Sequence, residues 1–446
     1  MTGPDKKKAL KEIFDAAINA ASPYNAVHKK LHLAPAGKRL LLKAGHKSID
    51  LNKFERIFVV GGGKAVCPMA RAVEELLGGR ATSGLIVTKY GHSKPLKKIR
   101  TIEAGHPLPD GSGLKGAGEI LKIAAQAGED DLLIVLLTGG ASALLPAPAF
   151  DLTLKDKQKT SRLLINSGAS INEINTVRKH LSLIKGGHLS RAAYPATVLT
   201  LVVSDVVGGS LSSIASGPTA PDPSTFGDAI RIIKDYRLAE KMPEKVMDIL
   251  RSGSKGALPE TPKPNDALFE NSANIIIADN LSALQAAGKK ARDFGLKPVI
   301  LTSSMTGNTR EAAGFFASVL KEIKSSGNPV KPPACVLMGG ETTLKVTGKG
   351  LGGRNQEFSL ALAAALKGEQ GIYVLSAGTD GTDGPTEAAG AYAMPDTLNM
   401  AEAMRLEPAK YLTQNDSYNF FKRMDGLFVT GPTGTNVMDM VIGIVE

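Results

Sequence analysis

One pattern recurs along this chain and restricts its fold more than any single residue. A short apolar, often β-branched run empties into glycines and small polar residues, and a helix-compatible segment follows. The clearest case is residues 57–67, IFVVGGGKAVC, and the pattern returns after the runs at 132–137, 197–204, 334–338, 372–377 and 427–429. Each reads as a buried strand turning into a helix, which predicts an α/β chain with parallel sheets and helices on both faces. Ligands of such sheets bind beyond the carboxyl ends of the strands, where these loops lie.

A chain of 446 residues is too long for one ordinary core. The Pro/Gly-rich segment 251–264 has little to give a core and is the expected linker, dividing the chain into domains over 1–250 and 265–446. The 43% hydrophobic and 22% charged fractions are those of a soluble globular protein. No apolar signal region follows the N-terminal lysines, and the aliphatic run at 132–137 is far too short to span a bilayer. A cytoplasmic protein with no membrane contact is expected. Cys67 and Cys335 support neither a disulfide framework nor a zinc site, as a reducing compartment would require.

The net charge of +11 is carried by residues 1–110, with 20 Lys+Arg against 9 Asp+Glu. Interleaved aromatics, zinc spacing, helix-turn-helix and RNP-like patterns are all missing there, so a solvated face or steering of an anionic substrate is expected rather than nucleic-acid binding. Along the chain, residues 6–21 read as an amphipathic helix. Residues 24–54 read as helix and loop punctuated by Gly37 and Gly45, and a strand is expected to run into the glycine loop 348–353.

Lys64 follows three glycines at an expected helix start, where free amides, the helix dipole and an ammonium would together favour a phosphate or carboxylate. The loop is not a Walker A loop, because Ala65 stands where a magnesium-binding hydroxyl belongs. Nor is it a dinucleotide fingerprint, because Val66 stands in place of the third glycine. The alternative is that the glycines at 61–63, Gly62 and Gly63 among them, serve close packing and Lys64 is solvated. A second cradle of amides and hydroxyls is offered by Thr138, Gly139, Gly140 and Ser142, and a third polar loop contains Ser216 and Gly217.

Arg354, on the loop Gly352-Gly353-Arg354-Asn355-Gln356-Glu357, can offer a bidentate fork to a carboxylate or phosphate, or can be a surface residue. Asp205, Asp380 and Asp383 stand in glycine-rich loops at strand ends and could hold magnesium through one or two carboxylates and waters, or could be turn-forming Asx residues. His106 is the histidine in such a loop. No serine-nucleophile elbow is present. Cationic loops, hydroxyl cradles and scattered acids are the inventory of phosphoryl transfer, which needs charge neutralisation more than covalent help.

The segments at 60–65, 137–145, 203–218, 352–357 and 377–390 together resemble the class II glycerate kinases, or MOFRL family, whose members carry the names glycerate 2-kinase and hydroxypyruvate reductase. The resemblance runs through nearly the whole chain in order, and GGRNQE with GTDGTDGP are its specific motifs. It implies an N-terminal Rossmann-like parallel-sheet domain and a C-terminal MOFRL α/β domain with the active site in the cleft between them. It further implies transfer of the ATP γ-phosphoryl to the 2-hydroxyl of D-glycerate, with Lys64 and Arg354 as the essential cations.

On this reading Asp205 accepts the hydroxyl proton or binds Mg²⁺ or another divalent cation, with Asp380 and Asp383 as further metal ligands. Gly62, Gly63, Gly139, Gly140, Ser142, Gly217 and Asn355 line the nucleotide. The protein is expected to work on a small molecule as a monomer or homodimer. Two rivals are a nicotinamide-dependent hydroxypyruvate reductase and a non-catalytic nucleotide- or nucleic-acid-binding protein.

Overall fold

The computed structural model describes residues 3–446. It divides into two compact units. The N-terminal unit comprises residues 23–204 and 209–277, and the C-terminal unit comprises residues 278–446 with 205–208 and the leading segment up to Ser22. The expected linker at 251–264 is therefore not the changeover. The chain first adds strand 272–278 to the N-terminal sheet, and the leading helix Gly3–Ala21 belongs with the C-terminal unit.

In the N-terminal unit a three-stranded antiparallel sheet comes first, made of β1 (Leu31–Ala36), β2 (Arg39–Ala44) and β3 (Lys47–Asp50). This corrects the reading of 24–54 as helix and loop. Gly37 and Gly45 sit at φ +63° and +57°, and they close the two hairpins. The main sheet follows, with β4 (Arg56–Gly62), β5 (Ser83–Lys89), β6 (Ile99–Ala104), β7 (Asp131–Leu137), β8 (Thr197–Val203) and β9 (Ser272–Ala278) in the order β6-β5-β4-β7-β8-β9. Strands β6, β5, β4, β7 and β8 run parallel. Every residue of β7 is buried, as a strand covered on both faces must be.

The C-terminal sheet contains β10 (Lys297–Met305), β11 (Ala334–Gly340), β12 (Ile372–Gly378), β13 (Gly390–Ala393), β14 (Leu427–Phe428) and β15 (Asp439–Val445), ordered β10-β11-β15-β12-β13-β14. It is mixed rather than parallel, because β15 inserts antiparallel between β11 and β12. The register puts Asp439, the first residue of β15, opposite both Gly340 and Gly378. An acid at a strand's beginning thereby reaches the carboxyl ends of its two neighbours. No strand occupies 344–353.

Helices Thr309–Ser326 and Arg354–Ala365 cover this sheet through Phe316, Leu320, Phe358 and Leu362. The leading helix buries Leu10, Ile13, Phe14 and Ala17 and sets the Phe14 ring edge-on to Phe428 at 5.1 Å. Its fully buried Lys6 pairs with Glu446. Among the described residues no helix is long and apolar enough to cross a membrane.

Candidate active site

The loop after β4 is laced to its neighbours by the backbone that was expected to be free. Gly63 N–H donates to Val87 O at 3.1 Å, Lys64 N–H to Gly139 O at 2.8 Å, and Ala65 N–H to Thr138 Oγ1 at 3.2 Å. The glycines permit this closeness. A Cβ on Gly61 would stand 2.1 Å from Leu136 O, one on Gly62 would stand 2.8 Å from the Leu145 side chain, and one on Gly63, at φ +142°, would stand 2.0 Å from Thr138 Oγ1. Gly62 and Gly63 are thus packing glycines rather than an amide cradle, and the helix Val66–Leu77 begins only after Ala65.

What the loop presents is the Lys64 side chain. It is half-buried, and among the described residues no carboxylate lies within ion-pair distance of it. The loop after β7 flanks that side chain. Gly139 accepts from the Lys64 amide, and the Gly140 Cα, at φ +88°, faces both the His106 ring and Lys64 Cγ. A Cβ on Gly140 would lie 3.0 Å from the former and 3.1 Å from the latter.

Burial, followed by the charges of Lys64 and Lys89, pushes the His106 pKa from 6.5 down to about 4. Between these two values the unfolded chain binds a proton that the folded chain refuses, so acidification through that window lowers stability. The expected result is a His106 imidazole signal that does not titrate from pH 7.5 to 5.5 by NMR, and a stability loss between about pH 6.5 and 4 that His106→Gln reduces.

Ser142 Oγ lies 3.1 Å from Ser216 Oγ and accepts from Lys185 Nζ at 2.9 Å, and Ser216 Oγ donates to Asn175 Oδ1 at 2.9 Å. Gly217 N–H is spent on Ile214 O, and its carbonyl accepts from Gly187, so this glycine builds a turn and gives no amide to a nucleotide. Asp205 is half-buried just past the carboxyl end of β8 and clusters with the C-terminal unit.

In the C-terminal unit Arg354 opens its helix, but its fork is occupied. Nε and Nη2 donate to the two oxygens of Asp439, the latter at 3.1 Å, and Nη1 reaches Glu341 Oε1 at 2.7 Å. Burial disfavours the guanidinium charge, but the hydrogen bond and attraction of Asp439, reinforced by Glu341 and Asp383, more than offset it and raise its pKa. A Cβ on Gly378 would be 3.5 Å from Asp380 Oδ1 and 3.6 Å from Asp439 Oδ1, so these two acids flank the end of β12. Asp380 Oδ1 also accepts from the Thr382 amide and hydroxyl.

Asp383 does not belong with them. Its carboxylate is buried and accepts from Asn355 N–H at 3.0 Å and Gln356 N–H at 2.8 Å, so it caps the Arg354 helix and is removed from the candidate magnesium ligands. Burial outweighs these bonds and pushes its pKa up to about 7. A Cβ on Gly353 would stand 2.3 Å from Asp383 Cγ, which explains the glycine. Asn355 is also turned inward, its amide on Asp383 and its carbonyl oxygen accepting from Ser376, and it cannot line a nucleotide. Asp383→Ala is expected to cost about 2–4 kcal/mol in denaturant unfolding, because two buried helix-start amides lose their acceptor.

Asp439 and Glu341 complete the surroundings of Arg354. Sequence reasoning passed over Asp439, and the signal available was an acid opening a continuous apolar run.

Comparison with known proteins matches residues 9–251 to a domain of unknown function, DUF4147, and residues 334–439 to the MOFRL family. The chain is 43% identical over 440 residues to the D-glycerate 2-kinase of Thermotoga maritima, covering 98% of each chain. It is 41% identical to the glycerate 2-kinase of Pyrococcus horikoshii, covering 96% of this chain and 95% of that one. The crystal structure of the Thermotoga maritima glycerate kinase superposes with a TM-score of 0.88 at 40% identity, covering 99% of this chain and 100% of that one.

Proposed function

The chain belongs to the glycerate 2-kinase family that joins a DUF4147 domain to a MOFRL domain, and on that premise we propose that it transfers the γ-phosphoryl of ATP to the 2-hydroxyl of D-glycerate, giving 2-phospho-D-glycerate and ADP. The observation that carries this reading is identity of 43% through 98% of the chain with a D-glycerate 2-kinase. The site chemistry supports it: among the described residues Lys64 is a cation without a carboxylate partner, on a loop held rigid by three hydrogen bonds from its backbone amides.

In the reaction the glycerate 2-oxygen attacks phosphorus, the bond to the ADP oxygen breaks, and the hydroxyl proton leaves to a base. Lys64 neutralises charge on the transferring phosphoryl or holds the glycerate carboxylate, in a setting where little reorganisation is needed. Asp205 is the proposed proton acceptor. Arg354 meets two carboxylates directly and Asp380 stands beside one of them, so the local balance is negative and its role is to order these acids as much as to meet an anion.

The half-buried carboxylates of Asp380 and Asp205 are oxygen donors of the kind a hard divalent cation carried with the nucleotide takes, and since no group of three or more His, Cys, Asp or Glu side chains among the described residues forms a metal site, the nucleotide's phosphates and water would supply the rest. Asp380 would hold Mg²⁺, and Asp205 would either share it or take the hydroxyl proton. Asp439 has both oxygens on Arg354 and would not. Bound there, Mg²⁺ would neutralise phosphate charge.

Phosphorus NMR of the protein with D-glycerate, ATP and Mg²⁺ tests the proposal, because one spectrum reports turnover and regiochemistry. A growing 2-phosphoglycerate signal matched by ADP is expected. A 3-phosphoglycerate signal would overturn the regiochemistry. An unchanged spectrum, with NADH oxidation in the presence of hydroxypyruvate, would replace the kinase by the reductase.

A further inference from the structure

A cavity of about 380 Å³ lies wholly within the N-terminal unit, adjoining the face of Gly140 that carries His106 and Lys64. Lys157, Arg162, Arg178 and Lys185 all line it, together with Ser142, Ser161 and Gln158, and its lining contains no Asp or Glu. Such a concentration of cations without a counter-charge is costly unless an anion completes it.

Burial of the two lysines sharpens the point. Lys157 is 7% exposed, and its Nζ is fully enclosed with no hydrogen-bond partner among the described residues. Lys185 is 1% exposed and, among the described residues, its ammonium reaches only the Ser142 carbonyl and hydroxyl, both at 2.9 Å. Arg178 is held by Ser161 at 3.2 Å, which leaves most of its donors for a ligand. Burial, then repulsion from Arg178, pushes the Lys157 pKa down to about 7, and burial with the neighbouring Lys157 and Arg178 lowers that of Lys185. Packing alone gives no reason to seat two lysines and an arginine here, since apolar side chains of the same volume would serve it better.

We infer that this cavity is a phosphate-binding site in which Lys157, Arg178 and Lys185 grip a phosphate group. A carboxylate brings one charge and two oxygens in a plane, which is too little for two buried lysines and a half-buried arginine, whereas a phosphate brings up to two charges and oxygens that point in several directions. Arg162, exposed at the rim, supplies attraction on entry. The inference deepens the kinase reading and rests on it for the carrier of the phosphate, which is either the end of the nucleotide or the phosphorylated acid.

The test is calorimetric titration of the full-length protein, without glycerate turnover, by inorganic phosphate, ATP, 2-phospho-D-glycerate and D-glycerate. It uses the wild type, Lys157→Met and Arg178→Gln, and thermal melting is followed in parallel. Phosphate is expected to bind the wild type at one site and raise its Tm, and each variant should bind at least tenfold more weakly. Unliganded Lys157→Met should melt at or above the wild type, because an unpaired buried ammonium is replaced by an apolar chain of similar length.

If ATP loses the tenfold and 2-phospho-D-glycerate does not, the nucleotide is the carrier, and the converse assigns the phosphorylated acid. Wild-type affinity of both variants for every phosphate ligand would overturn the inference, as would a loss confined to D-glycerate. Phosphate binding without turnover would leave the site standing and reject only the kinase.

Discussion

Lys64→Met should lower kcat/KM for D-glycerate by about 10³-fold while leaving the melting temperature within a degree or so of the wild type. The two halves of this expectation have separate causes. The loop around Lys64 is held by backbone bonds to Val87, Gly139 and Thr138 and by glycines that admit no Cβ, and none of that involves the ammonium. Removing the charge therefore removes no ion pair among the described residues. In the transition state the transferring phosphoryl has its charge spread over three oxygens, and a fixed cation in a partly dry site can contribute several kcal/mol there.

Lys64→Arg is the sharper control. It keeps the charge but replaces a compact ammonium by a planar fork, in a place where Gly140 already lies against Lys64 Cγ. It should recover less than a tenth of the activity. Steady-state kinetics with a melting curve on each protein decides the matter, and wild-type turnover in Lys64→Met would sink the role assigned here.

The strands of both sheets whose apolar runs end in glycine were legible because a buried strand and a glycine turn each leave a local mark. What was not legible depends on neighbours distant in sequence. The amides of 63–65 look free from the sequence, and they are not, because β7 and its loop lie close enough to accept from them. The antiparallel insertion of β15 is likewise a tertiary fact, and it alone brings Asp439 beside Arg354. The hairpins at 31–50 were within reach, since Gly37 and Gly45 stand where two-residue turns need them.

Most of what makes the motif GGRNQE specific is structural. Gly353 clears Asp383, Asn355 bonds Ser376 and Asp383, and buried Glu357 bonds Arg310, so Arg354 is the member with donors near solvent.

Arg354→Met is expected to damage both stability and activity, and a second substitution separates the two. Asp439 is 2% exposed, and burial raises its pKa even though Arg354 opposes the shift. Taking away the guanidinium leaves a buried carboxylate without its cation, which costs about 3–5 kcal/mol. The folded carboxyl of that variant then binds a proton more tightly than the unfolded one, so its stability should recover as the pH falls.

Adding Asp439→Asn removes the stranded charge at every pH and should restore most of the lost stability at pH 7. Activity should not follow: kcat/KM is expected to stay at least about 10²-fold down in the double variant, because the cation that orders Glu341 and can meet an anion is still missing. Urea midpoints and kinetics on the two single variants and the double variant form a closed cycle. Recovery of activity along with stability would reduce Arg354 to a structural counter-ion. A single variant as stable as the wild type would show that the Arg354–Asp439 pair does not hold this end of the sheet.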